Sequence, residues 1–180
     1  MLLRDIFRIV SEPSISTEPL IELLRIGFFS CSRIELYRMT RALEEVNYRL
    51  TRKIGLFDFI LDDTLLEGVV GENIEDWKRI RSLILDLRSI ATTRLSAQIE
   101  NILERTNMSK FVRAKSGISA LERLYSILSH IENDIISGKV TSLMDILQVW
   151  NRRIYLRLSL AATMTPVAHG VWVLTAHKSK

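Results

Sequence analysis

Apolar residues recur at three- and four-residue steps along most of the chain, a spacing that predicts amphipathic helices. The apolar stripes fall within residues 2–10, 20–24, 36–50, 57–61, 77–90, 99–103, 121–135 and 143–158. The stripes at 77–90 and 99–103 form either one long helix or two helices with a break near 92–96. No strand-like alternation occurs before Gly170. The pattern therefore predicts an all-α, multi-helix bundle.

Polar residues at the ends of these stripes predict where several helices start and stop. Ser32-x-x-Glu35 has the sequence of a capping box, and Ser142 with Asp145 forms a similar pair before the last stripe. Three residues suited to helix ends follow other stripes: Pro13, Gly27 and Gly138. Gly55 is predicted to start a short helix, and residues 68–73 to form a loop.

Residues 107–117 form the most polar connector of the chain and are predicted to be a loop. Lys110, Arg113 and Lys115 lie in it, and three cations in one loop could bind the phosphates of duplex DNA. The alternative is an ordinary solvated loop.

The composition fits one globular domain with a mild basic excess. The chain has 180 residues, 47% of them apolar, and a formal net charge of +4, which permits nucleic-acid binding without requiring it. Cys31 is the only cysteine, so no internal disulfide can form, and a cytoplasmic location is expected. Residues 158–176 are nearly apolar enough to span a bilayer. Pro166, His169 and Gly170 instead favour a helix end, a turn and a strand, and no membrane contact is expected.

The residue types needed for catalysis are not arranged as an active site. The chain has no Gly-x-x-x-x-Gly-Lys-(Ser/Thr) loop, and its three histidines lack the spacing of metal ligands. Asp58, Asp62 and Asp63 could suggest paired carboxylates, or they could belong to a solvated helix end. The chain alone is predicted to catalyse nothing and to bind no metal or cofactor.

The last ten residues differ from the helical body. Val171 to Leu174 are strand formers, and Thr175-Ala-His177-Lys178-Ser-Lys180 is a polar, basic loop. A lone strand cannot satisfy its backbone groups. The expected organisation is a helical domain over 1–165 and, over 170–180, the start of a second unit that continues in a larger protein.

This ending resembles a motif of UvrD/Rep/RecB-like superfamily 1 DNA helicases, in which a strand leads into Thr-x-His-x-(Ala/Ser)-Lys and then Gly-Leu-Glu. The body is similar to the helical accessory (2B-type) subdomain of that family in the order and distances of its apolar signals. The matching positions are Pro13, Leu20, Leu23-Leu24, Phe28-Phe29, Glu35-Leu36, residues 121–135 and Ser142 to Leu147. Residues 54–117 carry no such similarity.

The resemblance implies a helical insertion in a RecA-like core, followed by an orphan C-terminal strand that rejoins it. It implies a parent protein that uses ATP and Mg²⁺, translocates on single-stranded DNA, typically 3′ to 5′, and unwinds duplex in repair or recombination. Thr175, His177, Lys178 and Lys180 would contact the DNA backbone. The helices would contact duplex DNA or protein partners and regulate unwinding. The alternative is a free-standing all-α protein-interaction or DNA-binding module without a motor.

Overall fold

The fold is helical over the part of the chain described by the computed structural model, which comprises residues 2–12, 17–29, 31–51, 53–69, 74–90 and 94–157. Helices account for 83% of these residues, and no strand occurs among them. The prediction of an all-α domain is confirmed. The predicted strand and loop at 170–180 lie outside the described residues.

Within this part of the chain the helices follow one another with short connections. They are α1 (Leu2–Ser11), α2 (Thr17–Arg25), α3 (Arg33–Arg49), α4 (Leu56–Leu61), α5 (Asp63–Val69), α6 (Ile74–Ser89), α7 (Leu95–Arg105), α8 (Met108–Ile136) and α9 (Leu143–Tyr155). Of the two alternatives for residues 77–103, the structure contains two helices, α6 and α7.

Helix α1 lies at the centre of the bundle. It packs against α2, α6 and α9, and half of its ten residues are buried. The ring of Phe7 stacks on that of Trp150 from α9, with 5.5 Å between centroids and 6° between planes. Chain segments separated by more than 140 positions therefore meet in one core.

Side-chain caps fix the starts of α3 and α9, as the sequence predicts. The backbone N–H of Glu35 donates to Ser32 Oγ over 3.2 Å, and the Glu35 carboxylate accepts from the Ser32 N–H over 2.6 Å. Ser142 and Asp145 form the same reciprocal pair over 3.2 and 3.0 Å. Both capping boxes are confirmed because the signal is local and needs no tertiary partner.

Glycines close two helices in the left-handed conformation expected of them. Gly27 has φ +77°, and the Phe28 N–H reaches back to the Leu23 carbonyl over 3.0 Å. Gly138 has φ +69°, and the Lys139 N–H donates to the Asp134 carbonyl over 2.9 Å. These are Schellman motifs, which satisfy the last carbonyls of a helix.

Helices α4 and α5 are joined by a single residue, Asp62. Gly55 caps α4 as predicted. The Asp62 carboxylate accepts from the Thr64 hydroxyl and from the N–H groups of Thr64 and Leu65, so Asp62 starts α5. Asp63 forms an ion pair with Arg81 of α6. The structure thus favours helix capping over a pair of catalytic carboxylates. Of the loop predicted over 68–73, residues 68 and 69 belong to α5, and residues 70–73 lie outside the described residues.

The prediction of a loop over 107–117 is wrong, because these residues start α8. Met108 is fully buried, Val112 is partly buried against the core, and Phe111 is partly buried against Phe28. They lie at i, i+3 and i+4, so tertiary packing stabilises a helix despite the polar residues between them. Gly117, with φ +81° and ψ −175°, interrupts α8 and separates residues 108–116 from residues 118–136.

Candidate nucleic-acid interface

The three cations predicted to share a loop lie instead on the first segment of α8. Lys110 and Arg113 are three positions apart and share one side of the helix. Lys115 is five positions from Lys110 and lies on another side. All three side chains belong to exposed residues. They therefore form no single cluster: Lys110 lines one cleft, Lys115 lines another, and Arg113 lines neither.

The first cleft, called the aromatic cleft below, lies between the Gly27 turn, α6 and the joint of α7 with α8. Its volume is about 420 Å³. It is lined by Phe28, Phe29, Arg79, Ile80, Leu83, Arg105, Thr106, Asn107, Lys110, Phe111 and Ala114. A volume of this size falls within the range of small-ligand pockets, roughly 300–1,000 Å³.

Three phenylalanine rings form part of the wall of the aromatic cleft. The ring of Phe28 meets that of Phe29 at 5.2 Å and 76°, and that of Phe111 at 5.0 Å and 82°. Both are edge-to-face contacts, the arrangement that the ring quadrupoles favour. All three residues are only partly buried, so aromatic surface lines an open cleft.

Cations border the aromatic cleft on two walls. Arg79 comes from α6, whereas Arg105 and Lys110 come from the joint of α7 with α8. The Arg79 guanidinium lies 3.5 Å from the Asp76 carboxylate in an exposed pair, which contributes little to stability. Arg105 and Lys110 form no ion pair with any residue of the described chain. Positive charge at this rim is therefore largely uncompensated.

The second cleft, called the α3 cleft below, lies on the other side of the first α8 segment and has a volume of about 760 Å³. Its lining includes Arg25, Arg33 and Lys115, with Tyr37 beside them. Arg25 pairs with Glu22 over 3.1 Å at the surface, and Tyr37 is 65% exposed. The α3 cleft therefore combines positively charged side chains with an exposed aromatic ring, as the aromatic cleft does.

Carboxylates are absent from the start of α8, although Asp76 and Glu22 pair with Arg79 and Arg25 on other elements. No Asp or Glu occurs from Arg105 to Leu121, where four cations lie. The nearest acid to Arg33 in sequence is Glu35, which is engaged in the α3 cap. Hydrogen bonds from Ser32 lower the pKa of that carboxyl and keep it ionised in its cap. Positive charge without nearby acids on this segment of α8 attracts phosphates.

Two positive-φ residues position the aromatic cleft. Gly27 lets the chain turn after α2, so that Phe28 and Phe29 face the first segment of α8. Asn107, with φ +48°, ends α7 and starts α8, and its N–H donates to the Glu104 carbonyl over 3.0 Å. Asparagine tolerates this left-handed conformation better than most residues. The joint places Arg105 and Lys110 on the same rim.

Most groups of this surface could not be found from the sequence. The residues that the pattern did not identify are Phe28, Phe29, Arg79, Arg105 and Phe111 in the aromatic cleft, and Arg25, Arg33 and Tyr37 in the α3 cleft. The absence of acids around Lys110 was the one usable signal. The predicted DNA contacts Thr175, His177, Lys178 and Lys180 lie outside the described residues.

Other chemistry is not favoured by the described part of the chain. Burial raises the pKa of the Cys31 thiol to about 11, so it stays protonated and unreactive at neutral pH. No group of three or more potential metal ligands occurs among the described residues. In the same residues, no helix is long and apolar enough to cross a membrane. The segment 158–176, considered above as a span, lies outside them.

No family model matches the chain, and neither a curated protein nor a solved structure is similar to it.

Proposed function

We propose that the chain is the helical accessory subdomain of an ATP-dependent DNA helicase of the UvrD/Rep/RecB-like superfamily 1, acting in repair or recombination. The observation that carries the proposal is the sequence Thr175-Ala-His177-Lys178-Ser179-Lys180 directly after the strand-forming residues 171–174. The parent protein hydrolyses ATP with Mg²⁺ and moves along single-stranded DNA. This chain, which has no phosphate-binding loop, contributes DNA or protein contacts.

The all-α class of the described residues supports this proposal. An insertion in a RecA-like core has to fold as a unit with its own core, because the chain enters and leaves it at the same sheet. The contact of α1 with α9 brings the start and the end of the described helices together. That arrangement suits an inserted subdomain, and it suits a free-standing domain equally.

A DNA-binding module without a motor is the second candidate, and the two clefts favour it. Their cations and aromatic rings come from the helical body and need no RecA-like core. Such a module would bind nucleic acid through α8 and its neighbours alone.

The coding sequence on both sides of this segment separates the two candidates. For the helicase, we expect Gly-Leu-Glu immediately after Lys180 and a Gly-x-x-x-x-Gly-Lys-(Ser/Thr) loop upstream. A stop codon directly after Lys180 would refute the helicase proposal and leave the module.

Hydrolysis of ATP gives a biochemical test. We expect the protein encoded by the complete reading frame to hydrolyse ATP faster when single-stranded DNA is added. The 180-residue chain should release no phosphate under the same conditions. Turnover by the 180-residue chain would contradict the assignment of the ATP site to other parts of the parent protein.

A further inference from the structure

We propose that the aromatic cleft binds an unstacked base of single-stranded nucleic acid, with the flanking phosphates held by the cations on its two walls. The inference does not depend on a motor, because every group it uses belongs to the helical body. It names a site in the body that is separate from the motif at 175–180.

The first argument is the combination of aromatic surface and charge. Proteins that bind single strands without strong sequence preference pair a positive groove with rings on which bases stack. Phe28, Phe29 and Phe111 supply partly exposed rings, and their edge-to-face packing holds them in place. The cleft volume of about 420 Å³ leaves room for a planar group.

The second argument is the placement of the cations. Every base in a strand lies between two phosphates, one on its 5′ side and one on its 3′ side. Arg79 lies on the α6 wall, and Arg105 with Lys110 lies on the α7–α8 wall. A base in the cleft therefore has a cation available for the phosphate on each side.

The third argument is that the positive surface continues beyond the cleft. Arg113 lies one turn after Lys110 on the same side of α8, is exposed, and has no ion pair within the described chain. A strand leaving the cleft can follow this line. An acidic peptide with an aromatic anchor would also suit the charge and the rings. A nucleic acid fits better than a peptide, because its phosphates are regularly spaced and cations lie on both walls of the cleft and at Arg113 beyond it.

Binding is tested by fluorescence anisotropy with the 180-residue chain and two labelled strands of equal length, one oligothymidine and one abasic. The wild-type protein should bind oligothymidine about tenfold more tightly, the size of effect that one stacked base gives. Phe111→Leu keeps the apolar volume and removes the ring. It should reduce this difference and leave the affinity for the abasic strand unchanged.

Charge is tested with a cation inside the cleft and one outside it. Lys110→Gln should weaken the binding of both strands, and should reduce the slope of log K against log salt by about 0.7, the value for one phosphate contact in a single strand. Arg123→Gln is the matched control. Arg123 is an exposed cation of α8 on the far side of Gly117, and its loss should change neither quantity.

Three results would overturn the inference. Equal affinity of the wild-type protein for the two strands would mean that no base is stacked. An unchanged preference for oligothymidine in Phe111→Leu, Phe28→Leu and Phe29→Leu alike, each with the circular-dichroism melting curve of the wild type, would place stacking outside the cleft. Tighter binding of an acidic peptide ending in phenylalanine, with oligothymidine displaced by it, would make the cleft a protein-docking site. None of these results depends on whether the reading frame encodes a motor.

Discussion

Gly117 interrupts α8 next to the segment that lines the aromatic cleft. The variant Gly117→Ala tests whether this interruption exists. The φ of +81° and ψ of −175° at Gly117 lie in a region that is essentially restricted to glycine. No atom lies within 4 Å of a Cβ built at this position, so an alanine meets no steric clash. The cost of Gly117→Ala is therefore a cost in backbone conformation alone, about 1–3 kcal/mol.

The variant could avoid that cost only by straightening α8. A continuous helix would gain about 1 kcal/mol from replacing glycine by alanine. It would also pull the first segment away from the core, where Met108 is fully buried and Phe111 packs on Phe28. Burial of Met108 and partial burial of Phe111 contribute together about 3–5 kcal/mol. The ring pair adds about 0.5–1.5 kcal/mol. Straightening is therefore the more expensive route, and the interruption should persist.

Urea and thermal unfolding measure the outcome. For a chain of this size, a loss of 1–3 kcal/mol corresponds to a melting temperature lower by about 2–12 °C. The preference for oligothymidine over the abasic strand should remain, because the cleft is retained. Ser116→Ala, one position earlier and exposed in the helix, is the control and should change the free energy of unfolding by less than about 0.5 kcal/mol. A Gly117→Ala protein as stable as the wild type would refute the positive-φ conformation. Loss of the oligothymidine preference would show that α8 straightens.

Two further predictions concern the stability of α9. Trp150→Ala should lower the free energy of unfolding by about 3–5 kcal/mol in urea, because it leaves a cavity against Phe7, whereas Val149→Ala on the exposed side should have little effect. A loss below about 1 kcal/mol would contradict the docking of α9 on α1. Hydrogen bonds from the N–H and hydroxyl of Thr141 lower the pKa of Asp145 in the folded protein. The ionised carboxylate therefore stabilises the fold at pH values above its ordinary pKa. This stabilisation is lost as the pH falls through the lowered pKa. The difference in melting temperature between the wild type and Asp145→Asn should shrink below about pH 4, and a constant difference would exclude this linkage.

Local signals in the sequence were sufficient for the helices that have them. The caps at Ser32 and Ser142 involve residues three positions apart, and both form as predicted. The stops at Gly27 and Gly138 also depend on the neighbouring turn alone. Such features require no knowledge of the rest of the fold.

The segment 107–117 shows where local reasoning fails. Its apolar residues Met108, Phe111 and Val112 have helical spacing, but serine, lysine and arginine around them give the composition of a loop. The helix is stabilised by packing, in particular by the contact of Phe111 with Phe28. That contact joins positions more than eighty residues apart, and the sequence pattern contains no information on it.

The aromatic cleft was beyond prediction for the same reason. Its walls come from the Gly27 turn, from α6 and from the joint of α7 with α8, which are distant in sequence. Within the helical body, the sequence indicates only the cations of α8 as candidate binding residues, and it predicts a loop where the structure has a helix. Helical geometry then separated Lys110 from Lys115 and gave each of them different neighbours.

Two residues with positive φ, Gly27 and Asn107, lie at the aromatic cleft, and a third, Gly117, interrupts the helix beside it. Among the described residues, φ is positive at five positions: Gly27, Asn107, Gly117, Gly138 and Arg157. The first three belong to the turn, the joint and the interruption that define the cleft and the helix segment beside it. The positive φ of Gly117 is not required by helix geometry, because a continuous α8 would have helical φ and ψ at this position. Glycine adopts positive φ readily, so among these three residues only Asn107 carries a cost in backbone conformation. Gly27 and Asn107 thus precede the two segments that bring Phe28 against Phe111, and Asn107 also starts the helix that carries Lys110.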